Sequence, residues 1–294
     1  MTIRVALHHR THYAFDRPVS MSPHEVRLRP AAHTRTPVES YSFKAKPAKH
    51  FLNWQQDPYG NWVARLVFPE KSRELEIVVD MVLDMTVINP FDFFVDPAAE
   101  QFPFVYSSEN FRELAPYLEL VPDTPKLNDW MYRTRARFLS QPISTIDLLT
   151  AVNRMVRDEV QYSMRMEPGI LTPEETLACG IGSCRDSAWL LVQILRRLGI
   201  AARFVSGYLY DPALDGGEAT GTVGAGSTHA WLQAYLPGAG WVPFDPTNNL
   251  LGGSQLIRVG VARDPSQAAP VAGSWYGEPD DYLGMTVGVA VKRR

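Results

Sequence analysis

The stretch Gly180–Gly199, GIGSCRDSAWLLVQILRRLG, decides how the chain is read. Its glycines stop at Ser183, and Ser183 and Asp186 have the spacing of a capping box, with Asp in place of the usual Glu or Gln. Beyond them Ala188, Leu191, Val192, Leu195 and Leu198 recur on one stripe, leaving Arg185, Gln193, Arg196 and Arg197 to face outward. Gly199 stands where a left-handed C-terminal cap belongs. The pattern predicts a long helix that starts at Cys184 and is buried on one side.

A cysteine at the first helical position is chemically placed. Unpaired backbone N–H groups and the macrodipole favour an anion there, and the thiolate is the nucleophilic form of cysteine. The N–H of Cys184 has no partner within the helix and can donate to an oxyanion. Gly180 and Gly182 are expected to let a substrate backbone come close. Taken alone, the residue still reads first as a small inert core cysteine.

A second stretch changes the balance. Ser227–Leu236, STHAWLQAYL, alternates as a strand with His229, Trp231, Gln233 and Tyr235 on one face. Pro237–Gly240 is a turn, and Trp241–Asp245 returns from it. A plain four-residue loop would turn Asp245 away from His229. A loop of three or five residues, or a bulge, sets Asp245 opposite Trp231 and diagonal to His229, about 7–8 Å away at the backbone. The odd count is the expectation. Cys184, His229 and Asp245 then form a nucleophile, a base and a group that orients the base.

Outward from this centre the chain divides in two. Residues 1–88 hold extended runs at Arg4–His8, Glu25–Arg29, Asn61–Phe68 and Leu75–Val82, with an Asp57–Gly60 turn before the third. These predict a β-sandwich. A proline-punctuated, aromatic stretch follows, then helical patterns near Lys126–Leu139 and from Ser144, which with Asp147 reads as a cap. The expected class is α+β: an N-terminal β-sandwich with linker over 1–110, and over 111–294 a helix bearing the cysteine packed on an antiparallel sheet bearing His229 and Asp245. Met285–Lys292 reads as a closing strand that returns to a sheet of the second domain.

Composition narrows the function. Among 294 residues, 29 Lys and Arg against 32 Asp and Glu give a net charge of −3, which provides no field to gather nucleic acid or an anionic membrane. No run reaches the roughly 18 apolar residues of a membrane span, and the first residues lack the apolar core of a signal peptide. Two cysteines exclude a disulfide framework. A reducing, cytoplasmic setting is expected. Strand spacing sets His8 and His9 on opposite faces, which argues against a metal site, and no cofactor motif is present.

The segments Gly182–Trp189, Ala201–Leu209, Thr228–Trp231 and Pro237–Asn248 resemble the bacterial transglutaminase-like superfamily. The first half, with Val26–Pro30 and Asp57–Asn61, resembles the N-terminal β domain found with it. The resemblance spans most of the chain and implies a papain-like core with Cys184 as nucleophile, His229 as base and Asp245 as orienter. It departs from many relatives at Arg185–Trp189, whose wording is closer to larger bacterial proteins with an extra C-terminal region. It also implies an aromatic near the nucleophile as a second oxyanion donor, for which Tyr162 is the candidate. Gly182, Ser183 and Trp231 would complete the cleft.

Arg185 reads as solvated or ion-paired, Asp186 as a cap or internal pair, Cys179 as a small packed cysteine, and Glu278, Asp280 and Asp281 as a solvated acidic turn. The expected chemistry is acyl transfer on a peptide or protein amide through a thioester, with hydrolysis favoured. A protein-glutamine transglutaminase using a primary amine is the alternative, and a non-catalytic binding module the competing class. A separately encoded protein partner is a further expectation from the resemblance.

Overall fold

The computed structural model describes residues 2–31, 34, 36–86, 89, 92–165, 167, 169–215, 223, 226–253 and 255–294. Six strands come first: β1 (Thr2–Met21), β2 (His24–Arg29), β3 (Val38–Lys46), β4 (Phe51–Gln56), β5 (Trp62–Val67) and β6 (Ser72–Thr86). A connecting stretch carries β7 (Gln101–Phe102) and α1 (Ser108–Leu114). Then follow α2 (Pro125–Phe138), β8 (Ile143–Ser144), α3 (Thr145–Glu159), β9 (Gln161–Tyr162), α4 (Pro173–Cys179), β10 (Ile181–Gly182) and α5 (Cys184–Arg197). The chain ends in strands: β11 (Ala202–Leu209), β12 (Thr228–Leu236), β13 (Gly240–Asp245), β14 (Leu250–Leu251), β15 (Leu256–Ala262), β16 (Val271–Ala272), β17 (Trp275–Tyr276) and β18 (Tyr282–Arg293).

The molecule is α+β. Two sheets form the N-terminal sandwich: β17, β1, β6 and β3 in that order, with β18 also on β1, and β16, β2, β5 and β4. Inward-facing residues of both, such as Leu7, Ile77, Leu28 and Leu66, share one core. The second unit is an antiparallel sheet of order β14-β13-β12-β11-β15. On one face it carries α2, α3 and α5 over a core of Trp130, Leu148, Val152, Leu191, Leu195 and Leu232.

The two units are joined through apolar packing. Tyr208 of β11, Tyr210 just beyond it, and Ile257 and Val259 of β15 belong to the sandwich core. The Asp57–Gly60 turn presents Asn61, whose side chain donates to the Val261 carbonyl at 2.7 Å and accepts from the Val261 N–H at 2.9 Å. A buried side-chain amide thus stands in for a neighbouring strand at the free edge of β15, so the edge is capped.

Two expectations fail here. Met285–Lys292 does not return to the second unit's sheet. It lies in β18, paired antiparallel with β1 from Val5↔Arg293 to Phe15↔Tyr282. Period-two alternation gives a strand's faces but carries no information about its partner. The outward face of α5 departs too: Arg185 and Arg197 stay partly exposed, but Gln193 and Arg196 are buried. The connecting stretch covers them. Val121 N–H donates to the Gln193 carboxamide at 3.0 Å, and Arg196 donates to the carbonyls of Glu119, Ala202 and Arg263. That stretch packs through Phe93, Val95 and Phe104 on the helical core, and its described residues lie outside the cleft at Cys184.

Candidate active site

Local geometry builds the turn before Cys184. The helix α4 ends at Gly180 with φ +63°, a left-handed cap. Then β10 pairs in parallel with β9, and Ser163 N–H donates to the Gly182 carbonyl at 2.9 Å, which aims the chain into α5. Asp186 closes the start of the helix. Its carboxylate accepts from the Ser183 N–H at 2.8 Å, the Ser183 hydroxyl at 2.7 Å and the Leu171 N–H at 2.8 Å. Arg165 adds a fork of 3.0 and 3.2 Å. Burial alone would raise this carboxyl, but Arg165, Ser183 and Leu171 outweigh it and hold it below the usual carboxylate range. Asp186 is cap and ion pair together.

Gly182 makes room for that cap. A Cβ there would lie 3.1 Å from the Asp186 Cβ and 3.4 Å from Val160. Cys184 follows at the first helical position, buried but lining the cleft.

Strands β12 and β13 bring the base and the acid together. Their turn is three residues, Pro237–Ala239, with Leu236 paired to Gly240 and Leu232 to Phe244. Carried one step further, that register sets Asp245 level with Trp231 and diagonal to His229. His229 Nε2–H donates to Asp245 Oδ2 at 2.8 Å, and both residues are buried. The carboxylate also accepts from the Thr247 N–H at 2.9 Å and from Asn248 Nδ2 at 2.9 Å. That leaves Nδ1 buried and without a hydrogen-bond partner, on a ring whose charge the nearby Cys184 thiol also favours.

The electrostatics follow. Burial would pull the imidazole down, yet Asp245 and then Cys184 outweigh it and push His229 up to about 10. Burial would raise Asp245, but His229, Asn248 and the Thr247 N–H hold it below its ordinary value. The arrangement stabilises an imidazolium between two groups that can both be anions.

The structure gathers Tyr162, Ser183, Cys184 and His229 around one cleft. Burial, and secondarily the neighbouring thiol, raise the Tyr162 hydroxyl. Trp231 departs from expectation. It is buried and stacked on the imidazole, with centroids 6.0 Å apart and planes at 26°, and it lines a different cavity. Period two rightly put it on the face of His229, but that face is covered at its position. Cys179 is exposed and free, not packed. Asp281 is buried against Arg17, so the acidic turn is only partly solvated. Among the described residues no three His, Cys, Asp or Glu side chains are grouped to hold a metal ion.

Three contributors escaped the sequence reading. Asn248 had a signal, because Asp-Pro-Thr-Asn favours a turn in which the aspartate accepts from the following residues. Arg165 had none, since its pairing with Asp186 depends on how a loop folds back. Ser206, on β11, lines the cleft with its hydroxyl buried and without a partner.

Comparison with known proteins agrees with the fold. Residues 5–84 match the family model for the bacterial transglutaminase-like N-terminal region, and residues 134–246 match that for the transglutaminase-like superfamily. An uncharacterized protein of Mycobacterium leprae is 27% identical over 302 residues, covering 97% of each chain. An uncharacterized protein of Mycobacterium tuberculosis is 26% identical over 282 residues, covering 94% of this chain and 88% of its own. Among solved structures, one named "a Putative Cysteine Protease from Cytophaga hutchinsonii" superposes with a TM-score of 0.68 at 17% identity, covering 99% of this chain and 91% of its own, a likeness of fold.

Proposed function

The chain belongs to the transglutaminase-like superfamily, and we propose that it hydrolyses amide bonds of a peptide or protein substrate through a thioester at Cys184. The observation that carries this reading is the buried His229–Asp245 pair at 2.8 Å, which leaves the second ring nitrogen unpartnered on the cleft that Cys184 also lines.

The steps follow from the atoms in place. Cys184 passes its proton to His229 Nδ1, and Asp245 steadies the imidazolium at Nε2. The thiolate attacks the amide carbon. The oxyanion receives the Cys184 N–H at the start of α5, with Tyr162 as the second donor. His229 returns the proton to the leaving amine, the C–N bond breaks, and a thioester remains. A water then gives its proton to His229 as it attacks, and the carboxylic acid leaves with the thiol restored.

Water is favoured over an amine as acceptor by the cleft itself. Among the described residues lining it are Arg165 and Arg185 and no carboxylate, so nothing gathers a protonated amine. The test is mass spectrometry on a library of peptides and glutamine-containing proteins with a tagged primary amine present. The expected result is cleavage, or deamidation without adduct, that vanishes in Cys184→Ala. A Cys184-dependent amine adduct would make it a transglutaminase. No product with any substrate would favour a binding module, or a chain that needs a partner protein.

A further inference from the structure

The hollow beside Cys184 is shaped by small residues set in register. Ala230 on β12 and Gly260 on β15 both pair with Ser206 on β11, so three strands present their shortest side chains in one row. Gly260 leaves the serine its room, since a Cβ there would stand 3.2 Å from Ser206 Oγ. Phe204, two residues away on β11, packs with Cys184 and Ala230 at one side. The other side comes from the sandwich: Met285 and Val287 of β18 line the same cavity of about 240 Å³. That is several times the roughly 30 Å³ of a water molecule in the liquid.

Within this largely apolar hollow Ser206 is 5% exposed, and its hydroxyl oxygen is buried with no hydrogen-bond partner. Folded proteins ordinarily avoid such a group, so one that persists in a cleft invites a partner from the ligand. Nothing in the lining offers a counter-ion to a cationic side chain. Arg165 is engaged by Asp186, and Arg185 donates to the carbonyls of Arg165 and Glu167.

We propose that Ser206 is a specificity residue, hydrogen-bonding a short, uncharged, polar-tipped substrate side chain that fills the hollow. Threonine fits the chemistry, with its hydroxyl on Ser206 and its methyl against Phe204 and Val287. Valine has the same shape and nothing to offer the hydroxyl. The proposal rests on the reading of Cys184 as nucleophile.

The test uses the full chain and tripeptidyl chloromethyl ketones that differ only in threonine, valine or lysine at the residue bearing the warhead. The thiolate displaces chloride, a C–S bond forms, and mass spectrometry reads alkylation at Cys184 with exposed Cys179 as internal reference. The threonine probe should react about tenfold faster than the valine probe, one net hydrogen bond's worth. Ser206→Ala should bring that ratio to one by slowing the threonine probe, and leave Tm unchanged or higher. Ser206→Cys should give an intermediate ratio. Equal threonine and valine rates in the parent, an unchanged ratio in Ser206→Ala, or faster reaction with lysine would overturn the proposal and leave the nucleophile standing. Absence of alkylation at Cys184 with every probe would overturn both.

Discussion

Two histidines, His9 and His229, are equally buried, each about 1% exposed, and they sit on either side of adjacent residues of one strand. His229 pairs in register with Gly207 of β11, while His9 Nδ1 meets the hydroxyl of Tyr208, the next residue, at 3.2 Å. Their charge states are opposed. Burial, with a smaller contribution from His8, pulls His9 down to about 4. His229 suffers the same burial and is pushed up to about 10. The difference lies in the partner. His9 has two hydroxyls, Thr11 Oγ1 at 2.7 Å and Tyr208, which satisfy a neutral ring with one donor and one acceptor. His229 has a carboxylate that burial has stripped of water. The same side chain is a neutral joint between the two units in one place and a ring held protonated by its carboxylate in the other.

The sharpest way to break the contrast is to give His229 a neutral partner too. Asp245→Asn keeps shape and burial but removes the charge that holds the imidazolium. Turnover should fall by about 10³-fold or more, as orienting acids do when changed to amides. The variant should stay folded by circular dichroism, and activity within tenfold of the parent would show that Asp245 orients nothing.

Stability against pH separates the two rings next. His9 has a folded value below its unfolded 6.5, so the unfolded chain binds the proton first and stability is lost as pH falls from about 6.5 toward 4. About 2.5 units correspond to about 3 kcal/mol at most. His229 works in the other direction. Its folded value is raised, so its contribution is full below 6.5 and is lost as pH rises toward 10. Asp245, held down, contributes above its ordinary value and loses that contribution as pH falls. Urea unfolding of His9→Gln should flatten the acid-side slope between pH 6.5 and 4, leaving the part that belongs to buried His24, which is also pulled down, and keep the alkaline one. If the acid slope survives intact, His9 is not its source.

The smallest effect belongs to Asn248, which donates to the same Asp245 oxygen that receives His229. Asn248→Ala should lower kcat about three- to tenfold with KM nearly unchanged, because a held group is loosened and not removed. A change confined to KM would place Asn248 on the substrate instead.

Much of this site could be read along the chain because its determinants are local. The cap at Ser183–Asp186 and the diagonal of Asp245 depend on the spacing of a few residues and on strand parity. What escaped depends on distance. The alternation of Met285–Val291 marks a strand, but its partner β1 lies at the opposite end of the sequence, and backbone hydrogen bonds carry no address. Gln193 and Arg196 are polar residues on a helix and were expected outside. Backbone groups of Glu119 and Val121 come across to meet them, and polarity along one element cannot foretell that. Trp231 was placed on the correct face, and only packing shows that the face is sealed there.

The pairing of β1 with β18 has a consequence for how the protein is made. Synthesis delivers β1 well before β18, and this neighbour arrives only after the helices, the thiol and the imidazole strand have all emerged. A contact between such distant parts of the chain forms late, since its loop must close before it yields anything. Met285 and Val287, which finish one wall of the cleft, ride on that same late strand. A nascent chain therefore carries Cys184 for some time with no finished pocket around it, until β18 emerges and closes that wall.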